Sequence, residues 1–314
     1  MFMVGMVSAV LGQSESGPGQ LTRFTFTEYH MGVDARLIVY APDQTTAENA
    51  CAAAFEKMAD LDTIMSDYRK ESELMKLCDV AWEHPVKVSP DLFKVLKMSA
   101  EVSRLSDGYF DITVGPIVRL WRAARKTHLM PTPAELAAAR KLVGWQMVKL
   151  DEAAQTVKLA RRGMKLDLGA IGKGYGDDEA QKVLKKFGIT RALVEMGGDI
   201  VVSDPPPGKS GWTFEVPNYG GLGNTEMIFA NEAVSSSGDT EEYAMIGGKR
   251  FSHVVDPHTG MALTNRVQAT LIAPTGLIAD PVSTAMTLVS RAGRERLLRA
   301  YPGTQVYVRV LPND

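Results

Sequence analysis

Cysteine is nearly missing from this chain: Cys51 and Cys78 are the only two in 314 residues. Cys51 falls on the apolar stripe Ala47, Cys51, Ala54, Phe55 and Met58, and Cys78 follows Leu74 and Leu77 in a similar rhythm. Both are expected as buried free thiols, because two cysteines alone do not define a disulfide from sequence. An excess of charge is missing as well. The formal net charge is −2, so no global basic footprint argues for nucleic acid. After the first eleven residues, no apolar run is long enough to span a membrane. The two familiar phosphate motifs are also absent. Gly169-Ala-Ile-Gly172-Lys173-Gly174 is too short for GxxxxGK[ST] and lacks the hydroxyl after lysine. Gly172, Gly174 and Gly176 are spaced GxGxG rather than GxGxxG. No repeat, low-complexity tract or linker stands out after residue 20.

What is present is ordinary globular material, 45% hydrophobic and 23% charged, enough for one large core or two modest ones. Most of the 16 methionines read as core filler. Residues 1–11 are apolar and a Ser/Gly/Gln spacer follows, so residues 1–20 resemble the apolar part of a secretory leader without its basic start. Export to the periplasm is the expectation, with a cytoplasmic location as the alternative and no lipoprotein cysteine to anchor the chain. Residues 21–314 are expected to form a single domain.

Residues 23–43 alternate like two paired strands. Thr45-x-x-Glu48 reads as a capping box opening a helix to about Met65. Ser89-Pro90 opens a helix with Phe93, Leu96 and Ala100 inward, and Thr132-Pro133-x-Glu135 opens another. MVKLD and QTVKLAR read as a hairpin. After the glycine-rich stretch, Ala180, Val183, Leu184 and Phe187 form one helical face, with Gly188 as the stop. RALVEMGGDIVV reads as a buried strand interrupted by two glycines. WTFEV, EMIFANEAVSS, KRFSHVVD and VQATLIAP follow as strands. Asp280-Pro281 is expected to open a last helix, and TQVYVRVL a last strand. The plan is α+β with much antiparallel sheet.

Several stretches carry candidate chemistry. LDLGAIGKGYGDDEA, residues 166–180, is either a tight strand-to-helix turn or an anion loop, since backbone amides and a helix N-terminus face one point there. Asp111 lies amid apolar residues and is as consistent with turn capping as with a ligand role. Gly197-Gly198 inside a strand is a bulge or a place of close approach. Ser235-Ser236-Ser237 is a hydroxyl-rich loop after a strand. His253 precedes Asp256-Pro257 and is either a satisfied core histidine or one presented at a strand end as a base. Asp280 and Thr284 are four apart, on one helical face, with Ser283 beside them. A helix start explains Asp280-Pro281; so does a magnesium site, which takes few protein oxygens and leaves room for substrate phosphates.

Taken in order, MGVDARLIVY, MSDYRKESEL, DGYFDITVGP, KLDLGAIGKGYGDD, VEMGGDI, SSSGD, FSHVVDPHTG and ADPVSTA resemble the ApbE family of FAD:protein FMN transferases, over residues 31 to about 287. The resemblance implies a T-fold-related, mixed α+β fold of largely antiparallel sheet with packed helices. It implies a Mg²⁺-dependent enzyme moving FMN from FAD onto a threonine or serine of an acceptor flavoprotein subunit, of redox-pump or reductase type, with release of AMP. By motif position, Met31, Tyr68, Tyr109, Phe110, Asp111, Asp167 and Lys173 would contact FAD. Gly197, Gly198, Ser237, His253 and Val254 would line the same site. The Ala170 carbonyl, Asp280, Ser283 and Thr284 would hold the metal. His253, Lys173 and Asp280 would carry the chemistry. Some members have an acid where Ser283 stands, which here leaves more of the metal shell to water. The same residues would also serve an FAD pyrophosphatase or a flavin carrier without turnover.

Overall fold

The computed structural model describes residues 20–217, 224–238 and 243–311. The leader-like residues 1–19 and Asp239 of the serine loop lie outside them.

The chain opens with β1 (Thr22–His30) and β2 (Val33–Ala41), paired antiparallel. The turn between them is Met31-Gly32, both with positive φ, 49° and 87°, the geometry that matches the right-handed twist of the flanking strands. Four helices and a strand follow: α1 (Gln44–Met65), α2 (Glu73–Val80), β3 (Val86–Lys87), α3 (Pro90–Leu105) and α4 (Gly115–Thr127). Then come α5 (Pro133–Arg140), the hairpin β4 (Val148–Asp151) and β5 (Thr156–Leu159), and α6 (Gly172–Lys186). The second half holds β6 (Ala192–Met196), β7 (Asp199–Val202), β8 (Trp212–Pro217), β9 (Asn224–Phe229), β10 (Glu232–Gly238), β11 (Tyr243–Ile246) and β12 (Lys249–Ser252). It ends with β13 (Arg266–Ala273), α7 (Gly276–Leu288), α8 (Arg291–Ala300) and β14 (Gln305–Leu311).

Seven strands form one sheet in the order β1-β2-β6-β7-β10-β13-β14, antiparallel at every pairing. One face buries Leu37, Val39, Ala192 and Val194 against Cys51, Phe55 and Met58 of α1 and Ala180 and Leu184 of α6. A larger core joins α2, α3 and α7 to β13. The opposite face packs Ile38, Leu193, Val202 and Ile272 under Trp212 and Phe229 of the β8–β9 hairpin. A third cluster sets α4 and α5 against β11–β12 through Trp121, Ile246 and Phe251. The central strands are thus buried on both faces, β13 along nearly its whole length, while α1 and α6 each bury an apolar stripe. The α+β plan is as expected, and Cys51 and Cys78 are buried free thiols.

Several local expectations are corrected. The N-cap of α1 is Asp43, whose carboxylate accepts from the Thr46 amide at 2.7 Å; Glu48 instead accepts from the Gln44 side chain. The chain leaves β2 at Ala41, so Asp43 reaches the cap position first, and its charge suits a helix N-terminus. Phe187 is exposed because α6 ends at Lys186 and Phe187 is already the C-cap. In α3 Ala100 is half-buried, and Ser99 and Ser103 take the inward positions, each donating its hydroxyl to the carbonyl one turn back. RALVEMGGDIVV is a hairpin, not one strand: Gly197 and Gly198 (φ 57° and 88°) form its two-residue turn. EMIFANEAVSS is likewise two strands, divided at Asn231 (φ 56°). Helices α4 and α8 were not foreseen.

The helix carrying Asp280 begins earlier than expected, at Gly276. The Thr275 side chain makes no cap bond there. Asp178, from α6, accepts from the Gly276 and Leu277 amides at 2.8 and 2.9 Å. A carboxylate brought from another helix thus satisfies the orphan amides. Asp280 and Pro281 consequently sit inside α7, and Pro281 leaves the Leu277 carbonyl without its intrahelical amide.

Candidate active site at the crossing of α6 and α7

The glycine-rich stretch only partly precedes its helix: Gly169 and Ala170 lie in the turn before α6, whereas Gly172, Gly174 and Gly176 form its first turn and a half. Its glycines serve close packing. A methyl at Gly174 would stand 2.2 Å from the Gly276 carbonyl oxygen, and one at Gly276 would stand 2.2 Å from the Gly174 carbonyl oxygen. The two helices therefore cross in backbone contact, which only glycine permits. This contact sets the site. The Gly174 amide donates to Asp280 Oδ2 at 3.1 Å, and Lys173 Nζ lies 3.8 Å from the same oxygen. Lys173 also pairs with Asp199, delivered to the start of β7 by the Gly197-Gly198 turn.

Hydroxyls complete the arrangement. Ser235 of β10 donates to Asp199 and lies 3.1 Å from Ser283 Oγ. Ser237 Oγ is 2.8 Å from Ser283 Oγ and 2.9 Å from Thr284 Oγ1. Asp280, Ser283, Asp199 and Ser235 are all buried. Burial and then the charge of Asp199 push the Asp280 carboxyl up to about 7, with Lys173 acting the other way. Burial alone would lower the Lys173 ammonium, but Asp199 and Asp280 outweigh it and hold it above the ordinary lysine value.

A second group lies at the loop leading into α6. Asp167 Oδ1 accepts from the Gly169 amide at 2.9 Å and Oδ2 from Arg122 at 3.0 Å. Arg122 of α4 also binds Asp67 and lies 4.2 Å from the centre of the Tyr68 ring. Tyr68 is 74% exposed. It stands on the wall of an open cavity of about 770 Å³ with Lys70, Met75, Arg119, Arg122 and Lys126. Met31, in its left-handed turn, approaches α6: its Cε is 3.3 Å from where a Gly172 methyl would be, and its sulfur 3.5 Å from one at Gly176.

The remaining expected residues fall in other settings. Asp111 spends its carboxylate inside the protein, accepting from the Thr113 amide and hydroxyl and from the Trp145 amide. Phe110 is buried in the main core. Tyr109 packs edge-on against His258, ring centres 4.5 Å apart, and His258 and Asp111 line a smaller cavity of about 240 Å³. His253 is the first residue beyond β12, partly buried, rather than within a strand. The next residue, Val254, is buried and donates its amide to the Ser252 hydroxyl. Ala170 lies in the turn before α6.

Lys173, Asp280, Ser237, Ser283 and Thr284 thus meet directly, and Tyr68 meets Asp167 through Arg122. Sequence reasoning did not select Asp199, Asp177, Asp178, Asp67 or Arg122, and it read Ser235, Ser236 and Ser237 as a loop after a strand where they lie within β10. Asp199 carried a signal, a charge at the start of an otherwise apolar run. Arg122 carried none, because a salt bridge from a helix to a distant loop has no local pattern.

For a divalent cation the donor set fits: a buried carboxylate, two hydroxyls one turn along the same helix, and hard oxygens throughout. A buried carboxylate without a hydrogen-bond partner, Asp177, adds to the excess of negative charge there.

Comparison with known proteins follows the same lines. The ApbE family model matches residues 31–308. The FAD:protein FMN transferase of Haemophilus influenzae is 31% identical over 239 residues, 73% of this chain and 69% of that protein. That of Klebsiella pneumoniae is 28% identical over 84% of this chain and 81% of its own. The solved flavin transferase ApbE from Vibrio cholerae superposes with a TM-score of 0.81 at 26% identity, covering 91% of this chain and 93% of that one.

Proposed function

This chain belongs to the ApbE family, and from that premise we propose that it is an FAD:protein FMN transferase whose reaction runs at the α6–α7 crossing with Mg²⁺. The observation carrying this is the meeting of Lys173 with the buried Asp280, and of Ser283 and Thr284, one turn further along the same helix, with Ser237.

The acceptor is a threonine or serine hydroxyl of a flavoprotein subunit. Its oxygen attacks the FMN-side phosphorus of the FAD pyrophosphate. A new P–O bond forms, the P–O bond to the bridging oxygen breaks, and AMP leaves with the electron pair. Lys173 presents a fixed positive charge to the phosphates, held in place by Asp199 and Asp280. Asp280, Ser283, Thr284 and the Ala170 carbonyl would hold the cation. Mg²⁺, when bound, supplies charge neutralisation at the pyrophosphate oxygens. Tyr68 offers the flavin a face, with Arg122 fixed behind it. His253, just past the end of β12, or a carboxylate of the metal site takes the proton of the attacking hydroxyl. Positioning supplies most of the acceleration, since the anhydride needs no covalent intermediate. The apolar residues 1–11 support export of the chain, which fractionation of a C-terminally tagged protein tests.

The test of the reaction is intact-mass spectrometry of a threonine-bearing acceptor domain incubated with this protein, FAD and Mg²⁺, with AMP followed in parallel and EDTA as control. The expected result is a mass gain of one FMN unit, lost with EDTA and lost in Asp280→Ala. AMP without acceptor modification would make the protein an FAD pyrophosphatase instead. An Asp280→Ala enzyme of normal turnover would overturn the metal assignment.

A further inference from the structure

Asp177 has no place in the reaction just described, yet it is among the most deeply buried charged side chains described. Its exposure is 0%, and neither carboxylate oxygen has a hydrogen-bond partner. It follows Lys173 by four residues on α6, so the two share a helix face. That face turns to α7 and the start of β7, where Asp280 and Asp199 stand. Burial first, and then the charge of Asp199, raise the Asp177 carboxyl well above the ordinary range; Lys173 opposes them, and Asp178 and Asp280 push the same way.

Formal charges around this point can be counted with every carboxylate ionised, the state that a bound cation favours. Three carboxylates, Asp177, Asp199 and Asp280, face one ammonium, Lys173. The neighbouring Asp178 is engaged elsewhere, on the amides that start α7. Without Asp177 the protein charge here is −1, and a divalent cation would leave +1. With it the charge is −2, which a divalent cation cancels. An uncompensated charge in a buried site is costly, and a buried carboxylate without hydrogen bonds more so. Such a group gains most from a cation arriving nearby, because the low local dielectric that penalises it also strengthens the attraction.

We propose that Asp177 sets the affinity of this site for divalent cations from outside the coordination shell, contributing charge and no ligand atom. The inference rests on the magnesium reading above. It assigns to Asp177 a cost in the metal-free protein and a gain in the loaded one. A residue with only a packing role would show neither. The neighbouring seryl hydroxyls already have partners among Asp199, Ser283 and Thr284, so no hydrogen bond of theirs depends on Asp177.

The experiment is a Mn²⁺ titration of the purified protein without FAD, followed by electron paramagnetic resonance of the free ion, on wild type and Asp177→Asn. Thermal midpoints are measured in EDTA alongside. The expected result is Mn²⁺ binding weaker by about tenfold or more in D177N, with a midpoint in EDTA equal to or above wild type. FAD affinity in EDTA, read by flavin fluorescence, should not fall. Equal Mn²⁺ affinity in the two proteins overturns the proposal and leaves the magnesium reading standing. A D177N that is less stable than wild type in EDTA, or that does not fold, also overturns it, because Asp177 would then be structural. No Mn²⁺ binding by wild type would defeat the magnesium reading itself.

Discussion

Replacing Gly174 by alanine tests how the site is built. On helix propensity alone the change stabilises α6, by roughly 0.8–1 kcal/mol. The tertiary structure predicts the opposite. The new methyl would lie 2.2 Å from the Gly276 carbonyl oxygen, 2.7 Å from its carbon and 2.8 Å from Asp280 Cβ. Ordinary contact begins at 3.4 Å, so α7 must retreat by about 1.2 Å. Two of the three obstructing atoms are backbone, which cannot rotate away. Overpacking of this kind costs about 1–3 kcal/mol, a fall in Tm of roughly 2–10 °C for a domain of this size. The same retreat stretches the 3.1 Å bond from the Gly174 amide to Asp280 and the 3.8 Å approach of Lys173. A displacement of about 1 Å at reacting groups lowers turnover by about 100-fold. The control is Gly176→Ala on the same helix, whose methyl meets chiefly the flexible end of Met196, at 2.8 Å. Thermal unfolding and FMN transfer are measured for both variants. If G174A matches G176A in Tm and turnover, the close crossing does not set the geometry and the reasoning fails.

Three further outcomes follow from the same contacts. Asp178→Ala strips the cap from the Gly276 and Leu277 amides; stability should fall by about 1–2 kcal/mol in denaturant titration, and Mg²⁺-dependent transfer should fall with it. Lys173→Met leaves Asp177, Asp199 and Asp280 without their cation and should cost roughly 3 kcal/mol in EDTA, with a smaller loss in saturating Mg²⁺; a constant difference would mean that the metal and Lys173 do not share these carboxylates. The pH dependence has a definite sign. The folded-state carboxyls of Asp177 and Asp280 lie above the unfolded value of 3.8, Asp280 at about 7. The folded protein therefore keeps protons that the unfolded chain has lost, and stability in EDTA should fall as pH rises from about 4 to 7. D177N should show a shallower slope across that range in thermal melts.

Much of this protein was legible in its residues, because the relevant physics is local. Period-2 alternation marked the β1–β2 and β4–β5 hairpins, and Ser89-Pro90 and Thr132-Pro133 marked the starts of α3 and α5, since capping is decided within four residues. Ordered motifs pointed to Lys173, Asp280, Ser237, Ser283 and Thr284, which the fold brings together. Three things were decided only in three dimensions. Helix α7 begins four residues before Asp280 because Asp178 of another helix satisfies its first amides, and a distant cap leaves no trace in nearby sequence. Gly174 reads as part of a tight turn or an anion loop until Gly276 is seen pressed against it. Asp199, Asp177 and Arg122 have roles defined by charges from other elements, and Coulomb energy depends on distance through space, which the chain order of α6, β7, α4 and α7 does not reveal.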